Sequence, residues 1–204
     1  MEEKNNLKIV RKAVYNLFLD KTDERKFSYV RRDWIFPNHL DIMLSLVDDM
    51  IKKYGGDEEI CKLGVLLHDT GLVYGRDSAD PTGHENRSIE YAKKIFETIK
   101  LSESKREKII ECIEATDAKE EPENLNAKIV RTADALSQFV SIHFFAKSAF
   151  SGDWNNFHKW LRKKATNNFK KICFDDEKKI ALPVRDYILN AFELYEKYNK
   201  RYLH

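Results

Sequence analysis

Apolar residues recur at helical spacing along almost the whole chain. Only seven glycines and four prolines interrupt its 204 residues, and most fall between periodic segments. That pattern predicts an all-α fold, a bundle of amphipathic helices around one apolar core. Helices are expected over about 4–20, 38–54, 57–69, 85–99, 103–116, 123–148, 153–166 and 184–202. In the first, Leu7, Val10, Val14, Leu17 and Phe18 point inward. Gly55-Gly56 stops the second, whose start is read at Pro37-Asn38. Asp57 is placed to cap the third. Gly64 lies inside it, at a cost of roughly 1 kcal/mol relative to Ala, so a neighbouring group is expected to come close there. Pro122 is read into the first turn of the 123–148 helix. The stretch 170–182 is readable as loop or short strand. The chain is expected to be one domain, with a core at about 35–145 and a helical extension at about 150–204.

Four polar residues break the rule that inward positions are apolar. His39 heads a stripe formed by Met43, Leu46 and Met50. His68 shares a face with Cys61, Gly64 and Val65, and Asp69 follows it at the helix end, where Thr70-Gly71 breaks the pattern. Asp134 stands between Ala133 and Ala135, beside the stripe of Leu125, Ile129, Leu136 and Val140. A histidine alone at such a position is an ordinary hydrogen-bonded core residue, and a lone aspartate is an ion-pair partner. Two of each converging in one core is different. Burying a carboxylate costs several kcal/mol unless it is paired, whereas a divalent metal pairs the whole set. Arg131 and Gln138, at −3 and +4 from Asp134, share its face and are placed to reach a bound anion.

The order His39, His68-Asp69 within Leu-Leu-His-Asp-Thr-Gly, and Asp134 within Thr-Ala-Asp-Ala-Leu resembles the HD superfamily of metal-dependent phosphohydrolases. Gly83-His84-Glu85 is similar to a further segment found in many members. The resemblance spans about residues 35 to 145. It implies a divalent ion (Fe, Mn, Co, Ni, Zn or Mg) held by His39, His68, Asp69 and Asp134. It also implies hydrolysis of a nucleotide or another small phosphate ester. Asp69 would orient the attacking water and His84 would contact the phosphate or protonate the leaving group. Arg131, Arg76 and Gln138 would hold phosphate oxygens, with Arg131 also counted among the catalytic groups. The chain departs from the family at Leu72, where many members carry Lys or Arg. It also has Ala115-Thr116-Asp117 where binuclear members have a histidine. One metal is therefore expected, with His84 and Asp117 as candidates for a second. Leu72 motivates an alternative, a catalytically weak module that senses a phosphorylated ligand.

The loop from Thr70 to Gly83, with Tyr74, Arg76, Asp77 and Asp80, leaves the His68-Asp69 dyad directly. It is either a site cover or a surface connection. Thirty-six Lys and Arg against 34 Asp and Glu leave a net charge of +2, which does not by itself imply nucleic acid. Lysines and aromatics interleave over 158–179, but Trp154, Phe157 and Leu161 fall at core spacing, so the lysines read as a solvated face. His143 and His158 are read as structural. Absence of a long apolar run gives no expected membrane span. Cys61, Cys112 and Cys173 form no close pair and fit a reducing, cytoplasmic setting.

Overall fold

The computed structural model describes residues 2–22, 31–74, 83–149 and 154–199. Among the described residues ten α-helices run α1 Glu2–Thr22, α2 Arg32–Ile35, α3 Asp41–Tyr54, α4 Glu58–Leu67, α5 His84–Phe96, α6 Glu103–Ala115, α7 Leu125–Val140, α8 His143–Ala149, α9 Trp154–Lys171 and α10 Asp175–Asn199. Phe36–Leu40 is a π-helical turn and Thr70–Tyr74 a 3₁₀ turn. Among the described residues there is no strand, and no helix is long and apolar enough to cross a membrane. The fold is all-α, as the periodicity predicts.

α7 is the axis. Its residues from Ile129 to Phe139 are all buried, and it packs against α3, α4, α6, α9 and α10. A helix covered on every side has no polar face to spare. Its first half, with Ile129, Val130 and Ala133, joins an apolar cluster built on α1 and α3 to α6. Its second half, with Ala135, Leu136 and Phe139, joins a separate cluster with Phe144, Phe157, Leu161, Ile172 and Ile188. Asp134 sits between these two clusters.

Several predicted boundaries move. The helix expected from Pro37-Asn38 begins earlier, at Arg32, and absorbs Pro37 in the π-helical turn. Proline removes one helix donor. The widened turn runs its bond from the Asp41 amide to the Phe36 carbonyl, and the Asn38 side chain takes up the Trp34 carbonyl at 3.1 Å. Pro122 lies outside its expected helix, because Asn124 caps α7 by accepting from the Asn126 amide at 2.9 Å. Leu125 and Val140, read as core, are the exposed ends of that helix. The single helix expected over 123–148 breaks at Ser141, whose backbone is extended. Of residues 170–182, 170–171 end α9 and 175–182 belong to α10, while 172–174 join the two helices, and Pro183 lies inside α10. Gly64 behaves as expected: a Cβ there would sit 2.7 Å from Cys112 Cβ, so α4 and α6 approach through it.

Candidate metal centre

Three helical segments bring the site together. The π-helical turn presents His39, the end of α4 presents His68 and Asp69, and the middle of α7 presents Asp134. All three flank a cavity of about 210 Å³. The dyad is anchored from α5. Ser88, fully buried, donates to the His68 carbonyl at 2.5 Å and accepts from the Gly71 amide at 2.8 Å. A Cβ at Gly71 would collide with the His84 carbonyl, so only glycine lets the turn after the dyad reach the start of α5.

The donor atoms converge. His39 Nε2 and His68 Nε2 are 3.2 Å apart. Asp69 Oδ2 lies 3.4 Å from the first and 3.3 Å from the second. Asp134 Oδ1 lies 3.5 Å from His39 Nε2 and 3.9 Å from His68 Nε2. A tetrahedral ion with bonds of about 2.1 Å has donor-to-donor edges of about 3.4 Å. His39, His68 and Asp134 form a triad whose donors lie within 4.8 Å of one another, the size of a cation shell.

Hydrogen bonds decide which imidazole nitrogens carry protons. His68 Nδ1 lies 2.8 Å from the Val65 carbonyl, which only accepts. His39 Nδ1 lies 2.9 Å from Ser137 Oγ. That hydroxyl gives its one proton to the Asp134 carbonyl at 2.8 Å and so accepts from His39. Both rings therefore donate through Nδ1 and turn a lone pair outward at Nε2. Two lone pairs facing each other at 3.2 Å repel unless a positive charge lies between them. Without a cation, a proton serves. Burial pulls the His68 imidazole down, but Asp69 and Asp134 outweigh it and raise its pKa to about 9. The same charges act on the carboxylates. Burial pushes Asp69 up, yet His68, His39 and His84 hold it well below the usual range. Asp134 is likewise pushed up by burial and held down on balance by His68, His39 and Lys164.

His84 joins through Asp69. Its Nε2 is 3.4 Å from Asp69 Oδ1 and its Nδ1 is 2.9 Å from Glu85 Oε1. Burial lowers its pKa, but the two carboxylates raise it to about 10. Asp69 thus offers one oxygen to the histidine pair and the other to a cationic imidazole.

The remaining site candidates fall elsewhere. Arg131 does not line the cavity. Its guanidinium donates to the carbonyls of Glu120 and Lys119 and braces the connection between α6 and α7. Gln138 lines the cavity, and its Oε1 accepts from Asn168 at 2.8 Å, tying α7 to α9. Arg76, Asp77 and Asp80 lie outside the described residues. Leu72 lines the cavity where the resemblance places a cation. Asp117 lines it too, 3.2 Å from Lys171 Nζ, which also donates to the Thr116 carbonyl at 2.6 Å.

Sequence reasoning missed the opposite wall. Lys147, Trp160, Lys164 and His143 all face the cavity. Burial and the neighbouring His39, Lys164 and Lys147 charges hold His143 neutral, with its pKa lowered to about 3. A signal existed: Trp160, Lys164 and Lys171 stand at 0, +4 and +11 on α9, one helical face adjoining the core stripe of Phe157, Leu161 and Ala165.

Residues 38–138 match the HD domain family. The fold is similar to that of a predicted HD superfamily hydrolase from an uncultured Thermotogales bacterium, known from a crystal structure. The two chains are 15% identical, with a TM-score of 0.57 over 95% of this chain and 91% of that one. At that identity the likeness concerns the fold alone. None of the curated proteins matches the sequence.

Proposed function

Because the chain belongs to the HD domain family over residues 38–138, we propose that it is a metal-dependent phosphohydrolase acting on a nucleotide or another small phosphate ester. The observation that carries this reading is the pair of imidazoles locked with both Nε2 atoms toward one point, beside two carboxylates held ionised. His39, His68, Asp69 and Asp134 would hold the ion. When bound, the ion supplies Lewis acidity, neutralising charge on a phosphoryl oxygen and lowering the pKa of water from 15.7 to about 7. Mixed imidazole and carboxylate donors suit Fe, Mn, Co, Ni or Zn better than Mg. One ion is the number the donor set favours, because the Lys171 ammonium occupies the Thr116-Asp117 corner.

The chain's own groups divide the remaining work. Asp69 accepts a hydrogen bond from the attacking water and orients it toward phosphorus. His84, kept cationic by Asp69 and Glu85, donates a proton to the leaving-group oxygen. His39, His68 and Asp134 are buried, and the low dielectric around them strengthens these interactions. With its guanidinium committed to loop carbonyls, Arg131 serves as a strut beneath Asp134 rather than as a phosphate clamp.

Elemental analysis followed by a nucleotide and phosphate-ester panel in Mn²⁺ or Co²⁺ tests the reading. The wild type is expected to release phosphate or a nucleotide, and a folded His68→Ala variant to lose that activity. A folded and fully active His68→Ala protein overturns the reading. Tight ligand binding with no turnover in any metal replaces it with a sensing module.

A further inference from the structure

The last helix carries two stripes, and its own fold uses one. α10 turns Glu177, Ala181, Ile188 and Phe192 inward, all buried, and α9 and α7 pack against it. A second stripe, wholly apolar, runs along its outer side. It reads Ile180, Val184, Tyr187, Ala191, Leu194 and Tyr198, spaced four, three, four, three and four. Ile180 is 52% exposed, Tyr187 63%, Leu194 54% and Tyr198 54%. Ala191 is exposed as well, and Val184, half-buried, joins the stripe to the apolar cluster beneath it.

Spacing decides what such a stripe is for. Single exposed apolar residues need no explanation. A strict alternation of four and three is the 3.5-residue period of one helix packed along another. Here it is kept from Ile180 to Tyr198, over about five helical turns. Side chains more than half exposed have no helix packed over them. Taking 150–250 Å² for a buried aromatic side chain and scaling by these exposures, the stripe offers on the order of 400 Å² per copy. With its polar flanks it reaches the roughly 500 Å² per copy at which an interface becomes specific.

We propose that α10 is a homodimer interface, in which two copies of this chain pair antiparallel along Ile180 to Tyr198. Size selects the direction. Turned end for end about a two-fold axis level with Leu189, the stripe sets Ile180 against Tyr198, Val184 against Leu194 and Tyr187 against Ala191 of the second copy. Large meets small in the central layers. A parallel pair sets each residue on itself, overfilling the Tyr187 layer and leaving a void at Ala191. Charge selects the same direction. α10 opens on Asp175, Asp176 and Glu177 and carries Lys197 in its last turn. End-for-end pairing brings Lys197 toward the acidic end, whereas parallel pairing brings like to like. Asn190, exposed, falls beside the axis, where two carboxamides both donate and accept. Asp186, on the outer edge, is already met by Arg185 at 2.6 Å within its own copy. This interface does not rest on the hydrolase reading.

Sedimentation equilibrium of the full chain tests the pairing. The wild type is expected to sediment at twice the 24.1 kDa of one chain, with a dissociation constant of about 10 µM or below. Leu194→Glu and Tyr187→Glu each place a charge in the seam at a position exposed in the single copy. Each is expected to weaken the dimer at least about 100-fold, with circular dichroism unchanged. Cross-linking reads the direction. Asn190→Cys is expected to form a disulfide-linked dimer on mild oxidation, with the wild type, which has Cys61, Cys112 and Cys173, as control. Ile180→Cys is not, because it lies about 27 Å along the helix from its counterpart; in a parallel pair it would meet itself. A wild type that stays monomeric up to about 100 µM overturns the inference. So does a dimer that survives both glutamate variants, and so does one in which Ile180→Cys cross-links or Asn190→Cys does not.

Discussion

The floor of the cavity, which carries the histidine pair, and the wall opposite are built on different principles. The floor is rigid. Each of the two imidazoles is held by a hydrogen bond at Nδ1, and each sits among residues with almost no solvent exposure. The wall is made of lysines, whose long chains deliver a charge without fixing its position closely. A metal ion demands fixed donors within a few tenths of an ångström, and no such demand falls on the ammonium groups. The two surfaces also come from different parts of the chain. The floor lies within 38–138 and the wall within α8 and α9. They meet at Asp134, between the two apolar clusters.

If the floor is the chemical centre, breaking it produces the largest effect. His68→Ala is expected to lower turnover by at least about 10³-fold, measured as kcat/KM on a protein whose circular dichroism is unchanged. Removing the ion by chelation exposes the repulsion between the imidazoles and makes stability depend on pH. In the cation-free protein the His68 pKa rises from 6.5 to about 9. A raised value stabilises the fold fully below pH 6.5, and the benefit is lost as pH climbs through about 9. Thermal melts should therefore show chelated protein losing stability between pH 6.5 and 9.5, with the loaded protein much less affected. A flat profile for chelated protein breaks this account of the floor.

Smaller effects sharpen the contrast. Ser137→Ala removes the acceptor that fixes the His39 tautomer and is expected to weaken metal affinity about 10–100-fold, read by competition with a chelating dye. Gly64→Ala places a methyl against Cys112 Cβ and should cost about 1–3 kcal/mol in denaturant unfolding, by separating α4 from α6. Lys163→Ala, on the exposed face next to Lys164, should change stability by less than about 0.5 kcal/mol and leave turnover unchanged. A larger change in either would break the reading of that face as solvated.

The floor was legible because its residues break a pattern. His39, His68 and Asp134 occupy inward positions where only apolar side chains are expected, so helical spacing alone exposes them. Gly64 was legible for the same reason, as a weak helix former in a helix interior. The wall was only weakly legible, through Trp160 on the same face of α9 as Lys164 and Lys171, because lysines at helical spacing look the same whether they face solvent or a cavity. Position decides that, and position depends on the break at Ser141, which no glycine or proline announces. Pro37 misled for a related reason. Proline usually opens a helix, but here a π-helical turn absorbs it and carries His39 into the site. Arg131 was assigned from its register with Asp134. Register fixes where a side chain starts, but its length let the guanidinium reach the carbonyls of Glu120 and Lys119.

The central claim is that the two histidine Nε2 atoms point at one metal ion. X-ray absorption spectroscopy on protein loaded with one equivalent of Co²⁺ or Ni²⁺ tests it most directly. The expected spectrum shows two imidazoles in the first coordination shell of the ion, with the remaining ligands oxygen, and His39→Ala reduces the imidazole count to one. A shell without imidazole, or one unchanged in His39→Ala, would contradict it.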